Sequence, residues 1–326
     1  MYRIGIVGLG VIYHQYIQAL VVTKDVFYLV AVCDKDETRL SQGLRVARET
    51  LKRDDIQGST DLTDFLTAKM DIVFIATPPS THYPLAMECV RANKSLLVEK
   101  PAMCRVDNLV EIHEFCSVNA LQLHTAFHSA YAADVLWFLS HRQELEQQHG
   151  LGEAIEISCG FYDPYVINGQ VLSGRENLGG SYLDSGVNEL SVIAQLVDIS
   201  SFNVKEHHAE LLPDSKITCK SYTELVKAQG KLVIKMETDW TLGKNEKTTC
   251  IKYGNGSSII LNHSMQTVIL SKDDQQWLQF DNGDKPRLLT QYINMLKHYA
   301  MMMDAHHSNY DASLQIHNLL LSCSNN

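Results

Sequence analysis

A lysine at the end of a buried strand can bind an anion, polarise a carbonyl or accept a proton, and Lys100 is such a residue. It closes the strand-like run Leu97-Val98-Glu99-Lys100-Pro101. In open parallel sheets ligands bind beside the carboxyl ends of strands, and Pro101 keeps Lys100 out of the helical region. The same residues also describe an ordinary surface lysine, so the upstream pattern decides. Arg3–Val7 reads as a short apolar strand, followed by Gly8-Leu9-Gly10 and a helical pattern through Leu20. This is the strand, glycine turn and helix of a dinucleotide site. Gly8 permits the tight turn, and Gly10 lets a pyrophosphate approach the helix N-terminus. Tyr13 occupies the third glycine position of the fingerprint, so the helix is expected to stand slightly further from the sheet. A second strand, Phe27–Cys33, ends in Asp34. An acidic group there accepts from an adenosine ribose and repels a 2′-phosphate. NAD is therefore favoured over NADP, with Lys35 next door as the opposing feature.

These residues need a scaffold, and one is legible. Helices at Glu37–Leu51, Leu62–Ala68, Pro84–Ala92 and Asp107–Val118 alternate with strands at Asp71–Ala76, Ser95–Val98 and Leu121–Ala126. Alternation of this kind predicts an α/β unit, a doubly wound parallel sheet, over residues 1–125. Thr77-Pro78-Pro79 with His82 follows a strand directly; it either lines the nicotinamide side or simply stops the strand. Residues 126–326 read as an α+β unit with a mainly antiparallel open sheet for substrate binding and oligomerisation. Its strands are Glu153–Tyr162, Lys231–Trp240, Thr248–Tyr253 and Ser257–Leu261, with helices Val187–Val197 and Pro286–Met303. Gly243-Lys244-Asn245 and Gly254-Asn255-Gly256 are expected as hairpin turns. A further helix near Ala312–Leu321 has two possible destinations, the first unit or the second.

Composition narrows the function classes. A net charge of −10 without a basic cluster argues against a nucleic-acid partner. No apolar run reaches bilayer length, which argues against a membrane partner. The N-terminus enters a strand at once, leaving no room for a secretory signal, and a cytoplasmic location is expected. Eight cysteines without a C-x-x-C pair read as free thiols in a reducing compartment. His207-His208 and His306-His307 lack metal-ligand spacing, so no metal is expected.

Together the glycine turn, Asp34, the Thr77-Pro78-Pro79 loop with His82, and Glu99-Lys100-Pro101 resemble the glucose–fructose oxidoreductase / inositol dehydrogenase (Gfo/Idh/MocA) family. The resemblance continues through Gly179-Gly180-Ser181-Tyr182-Leu183-Asp184-Ser185-Gly186-Val187-Asn188. It implies cofactor contacts from Gly8, Leu9, Gly10, Val11, Ile12 and Asp34, then from Thr77, Pro78, Pro79, His82, Glu99 and Lys100. It implies catalytic roles for Lys100 and Asp184, and substrate contacts from Asn188 and His128. Many members carry histidine where this chain has Asn188. An amide has no proton-transfer equilibrium near neutral pH, so Asn188 orients a hydroxyl and is not a base. The aspartate-to-asparagine spacing, and Phe127-His128-Ser129, are similar to aldose 1-dehydrogenases of the family. Ala130 stands where an arginine often follows.

The resemblance implies oxidation of a cyclic aldose at C1 to the aldonolactone, with a nicotinamide as acceptor. Asp184 is the expected base and Lys100 the electrostatic partner of the developing oxyanion. A desolvated lysine would exchange those roles. Rival readings are an inositol or other polyol dehydrogenase of the same fold, and a non-catalytic NAD-binding sensor. A homo-oligomer, dimer or tetramer, through the second sheet is expected.

Overall fold

The computed structural model describes residues 1–323. The chain divides into two compact units, one of Met1–Phe127 with Leu288–Leu314, the other of His128–Arg287 with the chain from Gln315 onward. The segment Leu288–Leu314 is therefore grouped with the N-terminal unit, although it lies far along the 126–326 stretch.

The first unit contains β1 (Tyr2–Val7), α1 (Tyr13–Val22), β2 (Phe27–Cys33), α2 (Glu37–Leu51), β3 (Gln57–Ser59) and α3 (Leu62–Leu66). It continues with β4 (Ile72–Ile75), α4 (His82–Arg91), β5 (Ser95–Glu99), α5 (Val106–Val118) and β6 (Leu123–Ala126). The six strands lie in the order β3-β2-β1-β4-β5-β6 and every pair is parallel. Strand order reverses between β1 and β4, which opens a crevice at their carboxyl ends. The central strands are buried on both faces, so their sequences are continuous apolar runs such as Ile72-Val73-Phe74-Ile75. The expected bulk at Tyr13 is absorbed sideways. Its buried hydroxyl donates to the Gly43 carbonyl of α2 at 2.9 Å. A Cβ at Gly43 would lie 2.7 Å from Leu9 Cδ1, so the Leu9 side chain would have to shift to admit one.

Most of a helix far along the chain, α8 (Arg287–Asp304), also belongs to this unit. Tyr292 sets its ring edge-on to Tyr16, with centroids 4.9 Å apart. Asn309 accepts from the Thr125 N–H at 2.9 Å and donates to the Thr125 carbonyl at 2.8 Å, closing the free edge of β6.

His124 on β6 is 2% exposed, and neither ring nitrogen has a hydrogen-bond partner. Burial, with His298 adding to it, pushes its pKa down to about 4. The unfolded chain binds a proton near pH 6.5 that the folded chain refuses, so stability is lost as pH falls from about 6.5 to about 4. A shift of that size is worth about 3 kcal/mol. Urea unfolding at pH 7 and pH 4 is expected to show His124→Leu losing about 3 kcal/mol less than the parent. Equal losses would contradict this assignment.

The second unit opens with α6 (Ala133–His149) and β7 (Ala154–Tyr162), then the hairpin β8 (Val166–Ile167) and β9 (Gln170–Val171). After α7 (Val187–Leu196) come β10 (Phe202–Leu211), β11 (Thr218–Lys227), β12 (Val233–Asp239) and β13 (Glu246–Tyr253). β14 (Ser258–Asn262), β15 (Thr267–Lys272) and β16 (Gln275–Asp281) complete the sheet, and α9 (Tyr310–Ser322) follows α8 in the chain. The order is β10-β11-β12-β7-β13-β14-β15-β16, antiparallel except for the β12–β7 pair. Burial alternates along β11, β13 and β14, and α6 packs on β14 and β15 while α7 packs on β7.

That order corrects one expected turn. β12 and β13 flank β7, so Gly243-Lys244-Asn245 lies in a connection that passes β7 and closes no hairpin. Gly254-Asn255-Gly256 does close the β13–β14 hairpin, with Gly256 N–H donating to the Tyr253 carbonyl at 3.1 Å. Among the described residues no helix is long and apolar enough to cross a membrane, and no group of three or more potential ligands could hold a metal ion.

Candidate functional site

The carboxyl edge of the parallel sheet gathers Gly8–Gly10 after β1, Asp34 after β2, Thr77–Pro79 after β4 and Lys100 after β5. Gly8 has φ +93°, and a Cβ there would lie 2.6 Å from the Ala76 carbonyl oxygen. Its N–H donates to the Cys33 carbonyl at 2.9 Å, so the turn is wedged between the ends of two strands. At Gly10 an added Cβ would meet nothing within 4 Å. The protein itself does not need glycine at that position; the open space suits the close approach of a ligand. The helix behind it, α1, has no side-chain cap and no acidic residue in its first turn. Its neighbours α2 and α3 are both capped by aspartate, Asp36 and Asp61. An uncapped N-terminus behind an open glycine is suited to a pyrophosphate.

Asp34 is buried, and its two carboxylate oxygens accept from Leu9 N–H at 2.9 Å and from Asp36 N–H at 3.0 Å. Each oxygen keeps a lone pair for a ribose hydroxyl. Val11 is exposed beside it, with Ile12 and Gly10 half-buried. The residues present thus fit a dinucleotide, which would be held by Gly8–Ile12 and Asp34. Replacing Asp34 by Asn removes the charge that repels a 2′-phosphate and one of two acceptors for the loop. Fluorescence titration is expected to show NAD affinity falling about tenfold and the NAD-over-NADP ratio narrowing. An unchanged ratio would remove Asp34 from cofactor selection.

His82, expected at the cofactor, and Glu99, expected to support either the backbone turn or the cofactor ribose, are both engaged within the protein. His82 is fully buried. Its Nδ1 lies 3.1 Å from the carbonyls of both Pro101 and Ala102, and its Nε2 lies 2.8 Å from that of Thr77. The ring staples the loop after β4 to the turn after β5 and has no polar atom to offer a cofactor. Burial lowers its pKa, and the three carbonyls oppose that shift. Glu99 is likewise committed. Oε1 accepts from Tyr16 at 2.8 Å and Tyr292 at 2.6 Å, and Oε2 accepts from the Lys100 N–H at 3.2 Å. Burial raises its pKa against the pull of these donors. Glu99 therefore fixes the backbone turn that presents Lys100, whose peptide to Pro101 is cis. Thr77, Pro78 and Pro79 stay at the edge, where Thr81 Oγ1 donates to the Pro78 carbonyl at 2.8 Å.

In the second unit, Asp184 lies on a π-helical turn, Tyr182–Gly186, that leads into α7. It is half-buried, and its N–H donates to the Gly180 carbonyl at 3.0 Å. Asn188 is turned inward. Its Nδ2 donates to the Asp184 carbonyl at 3.0 Å, and its Oδ1 is buried without a partner. The Nδ2 group thus braces the turn. His128 lies on a buried turn, His128–Tyr131, that packs against α7.

Sequence reasoning passed over the ion pair beside Asp184. Lys247 Nζ donates to Asp163 Oδ1 at 2.7 Å, and both side chains are almost wholly buried. Burial lowers the Lys247 pKa, with Asp163 opposing. A signal existed in β13, where Lys247 shares the inward-facing register of Thr249 and Ile251.

Residues 2–127 match the sequence model of the Gfo/Idh/MocA oxidoreductase family, NAD-binding Rossmann fold. The first parallel sheet and its helices are thus similar to that family's NAD-binding fold. Part of this chain is 37% identical to inositol 2-dehydrogenase 1 of Saccharopolyspora erythraea, over 30% of this chain and 28% of that protein. Another match is dTDP-3,4-didehydro-2,6-dideoxy-alpha-D-glucose 3-reductase of Streptomyces violaceoruber, 26% identical over 49% of this chain and 45% of that protein. The chain thus spans less than half the length of the curated relatives it matches. In fold the likeness is complete. A 3-ketoreductase (KijD10) from Actinomadura kijaniata, solved with NADP and TDP-benzene, superposes with a TM-score of 0.81 at 16% identity, covering 99% of this chain and 97% of that one. An oxidoreductase from Agrobacterium radiobacter, solved with NAD+, L-tartaric acid and magnesium, gives 0.78 at 14% identity, over 99% and 95% of the two chains. The fold of these two proteins is therefore shared over nearly the whole of this chain.

Proposed function

We propose that this chain is an NAD(P)-dependent oxidoreductase that oxidises a cyclic aldose at C1 to the aldonolactone, with NAD preferred. The observation that carries the reading is the carboxyl edge of the first sheet, where an open Gly10, an acidic Asp34 and a braced Lys100 stand together. The bound dinucleotide would supply the two-electron acceptor. Lys100 stabilises charge developing on the reacting oxygen, and its backbone is held by Glu99. Asp184 takes the hydroxyl proton, which requires an approach of roughly 2.6–3.2 Å to that oxygen. The Tyr16 and Tyr292 hydroxyls hold the Glu99 carboxyl in place beneath Lys100.

A second reading is a cyclitol dehydrogenase. It is favoured by the likeness of part of this chain to proteins named inositol 2-dehydrogenase. Screening D-galactose, L-arabinose, D-glucose and myo-inositol with NAD, followed by reduced-nicotinamide absorbance, separates the two. Turnover of an aldose supports the first, turnover of myo-inositol alone the second. No turnover with any of them would contradict both and leave an NAD-binding sensor. We also propose that the eight-stranded sheet joins copies of the chain into a dimer or tetramer; light scattering showing only monomer would contradict this.

A further inference from the structure

We propose that the Asp163–Lys247 ion pair is a positioning device for Asp184, acting through the hydroxyl of Ser185. The inference rests on the proposed role of Asp184 and adds residues that role does not require. Ser185 is fully buried, and its Oγ donates to Asp163 Oδ2 at 3.0 Å. The same Oγ accepts from Trp240 Nε1 at 3.3 Å. Asp163 Oδ1 accepts from Lys247 Nζ at 2.7 Å, which also donates to Asn245 Oδ1 at 2.8 Å and to the Tyr162 carbonyl at 3.3 Å. All three ammonium protons are thereby used, so the pair is a fixed post and has no donor left for a ligand.

The other side of Asp184 is fixed as firmly. Gly180, whose carbonyl receives the Asp184 N–H, has φ +93°. A Cβ there would lie 2.7 Å from both the N and the O of Thr218 on β11. Asp184 is thus held between a backbone docked on the sheet and a neighbouring side chain hydrogen-bonded to a buried ion pair. The intervening turn is π-helical, a geometry that packing must impose because regular helix is the cheaper alternative. Stability alone is a poor reason for this arrangement. A buried ion pair seldom outperforms apolar residues of the same volume, but it does fix geometry. A proton acceptor needs its geometry fixed, since an error of about 1 Å costs about a hundredfold in rate.

The test compares Ser185→Ala, Ser185→Cys and Asp184→Asn in the full chain, with two readouts. In steady-state assays with NAD and the sugar identified by the screen, Ser185→Ala is expected to lower kcat at least tenfold. NAD affinity should stay at the parental value. Tm should fall by only a few degrees, because Asp163 Oδ2 and Trp240 Nε1 each lose a buried partner. Ser185→Cys, a weak donor, should fall between. Hydrogen exchange needs no substrate. It is expected to show the amides of Leu183–Asn188 exchanging at least tenfold faster in Ser185→Ala, with the strands of the sheet unchanged. Parental kcat and exchange in Ser185→Ala, alongside a crippled Asp184→Asn, would overturn the positioning role and leave the proposed function standing. Parental turnover in Asp184→Asn would overturn both.

Discussion

Replacing Lys100 by Ala is expected to lower kcat by about a thousandfold, some 4 kcal/mol of barrier. Removing one preorganised donor to a developing oxyanion typically costs a hundred- to a thousandfold, and Lys100 is held as such a donor would be. Its N–H is tied to Glu99, Glu99 is tied to Tyr16 and Tyr292, and the following turn is tied to His82. The substitution removes the ammonium group and keeps those hydrogen bonds, so NAD affinity is expected to change little and Tm to fall only slightly as the buried Glu99 loses a nearby positive charge. Steady-state kinetics with the sugar from the screen, beside a thermal melt, reads both. A kcat within about tenfold of the parent would remove Lys100 from the chemistry. A large fall in Tm would recast it as a structural residue.

The paired glycines give the second large effect because they should fail in different ways. Gly8→Ala puts a methyl group 2.6 Å from a backbone oxygen at φ +93°, where an L side chain is already strained. The turn must shift or β1 and β4 must part, and a destabilisation of about 2–4 kcal/mol is expected. Gly10→Ala meets nothing within 4 Å, so its stability should be parental. Its added methyl instead occupies the space proposed for the pyrophosphate, and NAD affinity should fall about a hundredfold or more. Chemical denaturation and NAD titration of the two variants distinguish these outcomes. Normal NAD binding by Gly10→Ala would mean that the open space serves some other purpose.

Much of the first unit was legible because its physics is local. β1, β2, β4 and β5 are buried on both faces and read as continuous apolar runs. Asp34 declares itself by ending one of them. Parts that depend on distant partners were not legible. Nothing about Glu99 in isolation says that Tyr292 of α8 will donate to it from far along the chain. His82 has the spacing of a site residue, yet its surroundings are three carbonyls that only the folded loop brings together. β10 and β16 lie at the edges of their sheet and are largely exposed, so they lack the apolar alternation that marks a strand. Asn188 read as a substrate contact because its residue type fits one. Its Nδ2 bond to the carbonyl one turn back depends on the folded turn.

The proposed function assigns Lys100 and Asp184 to one transition state. A double-mutant cycle on kcat/KM with Lys100→Ala, Asp184→Asn and the pair tests it most directly. The account predicts that the double variant is no slower than the worse single by more than about twofold, because groups serving one transition state lose their effect together. Losses that simply multiply would show two independent contributions and contradict it.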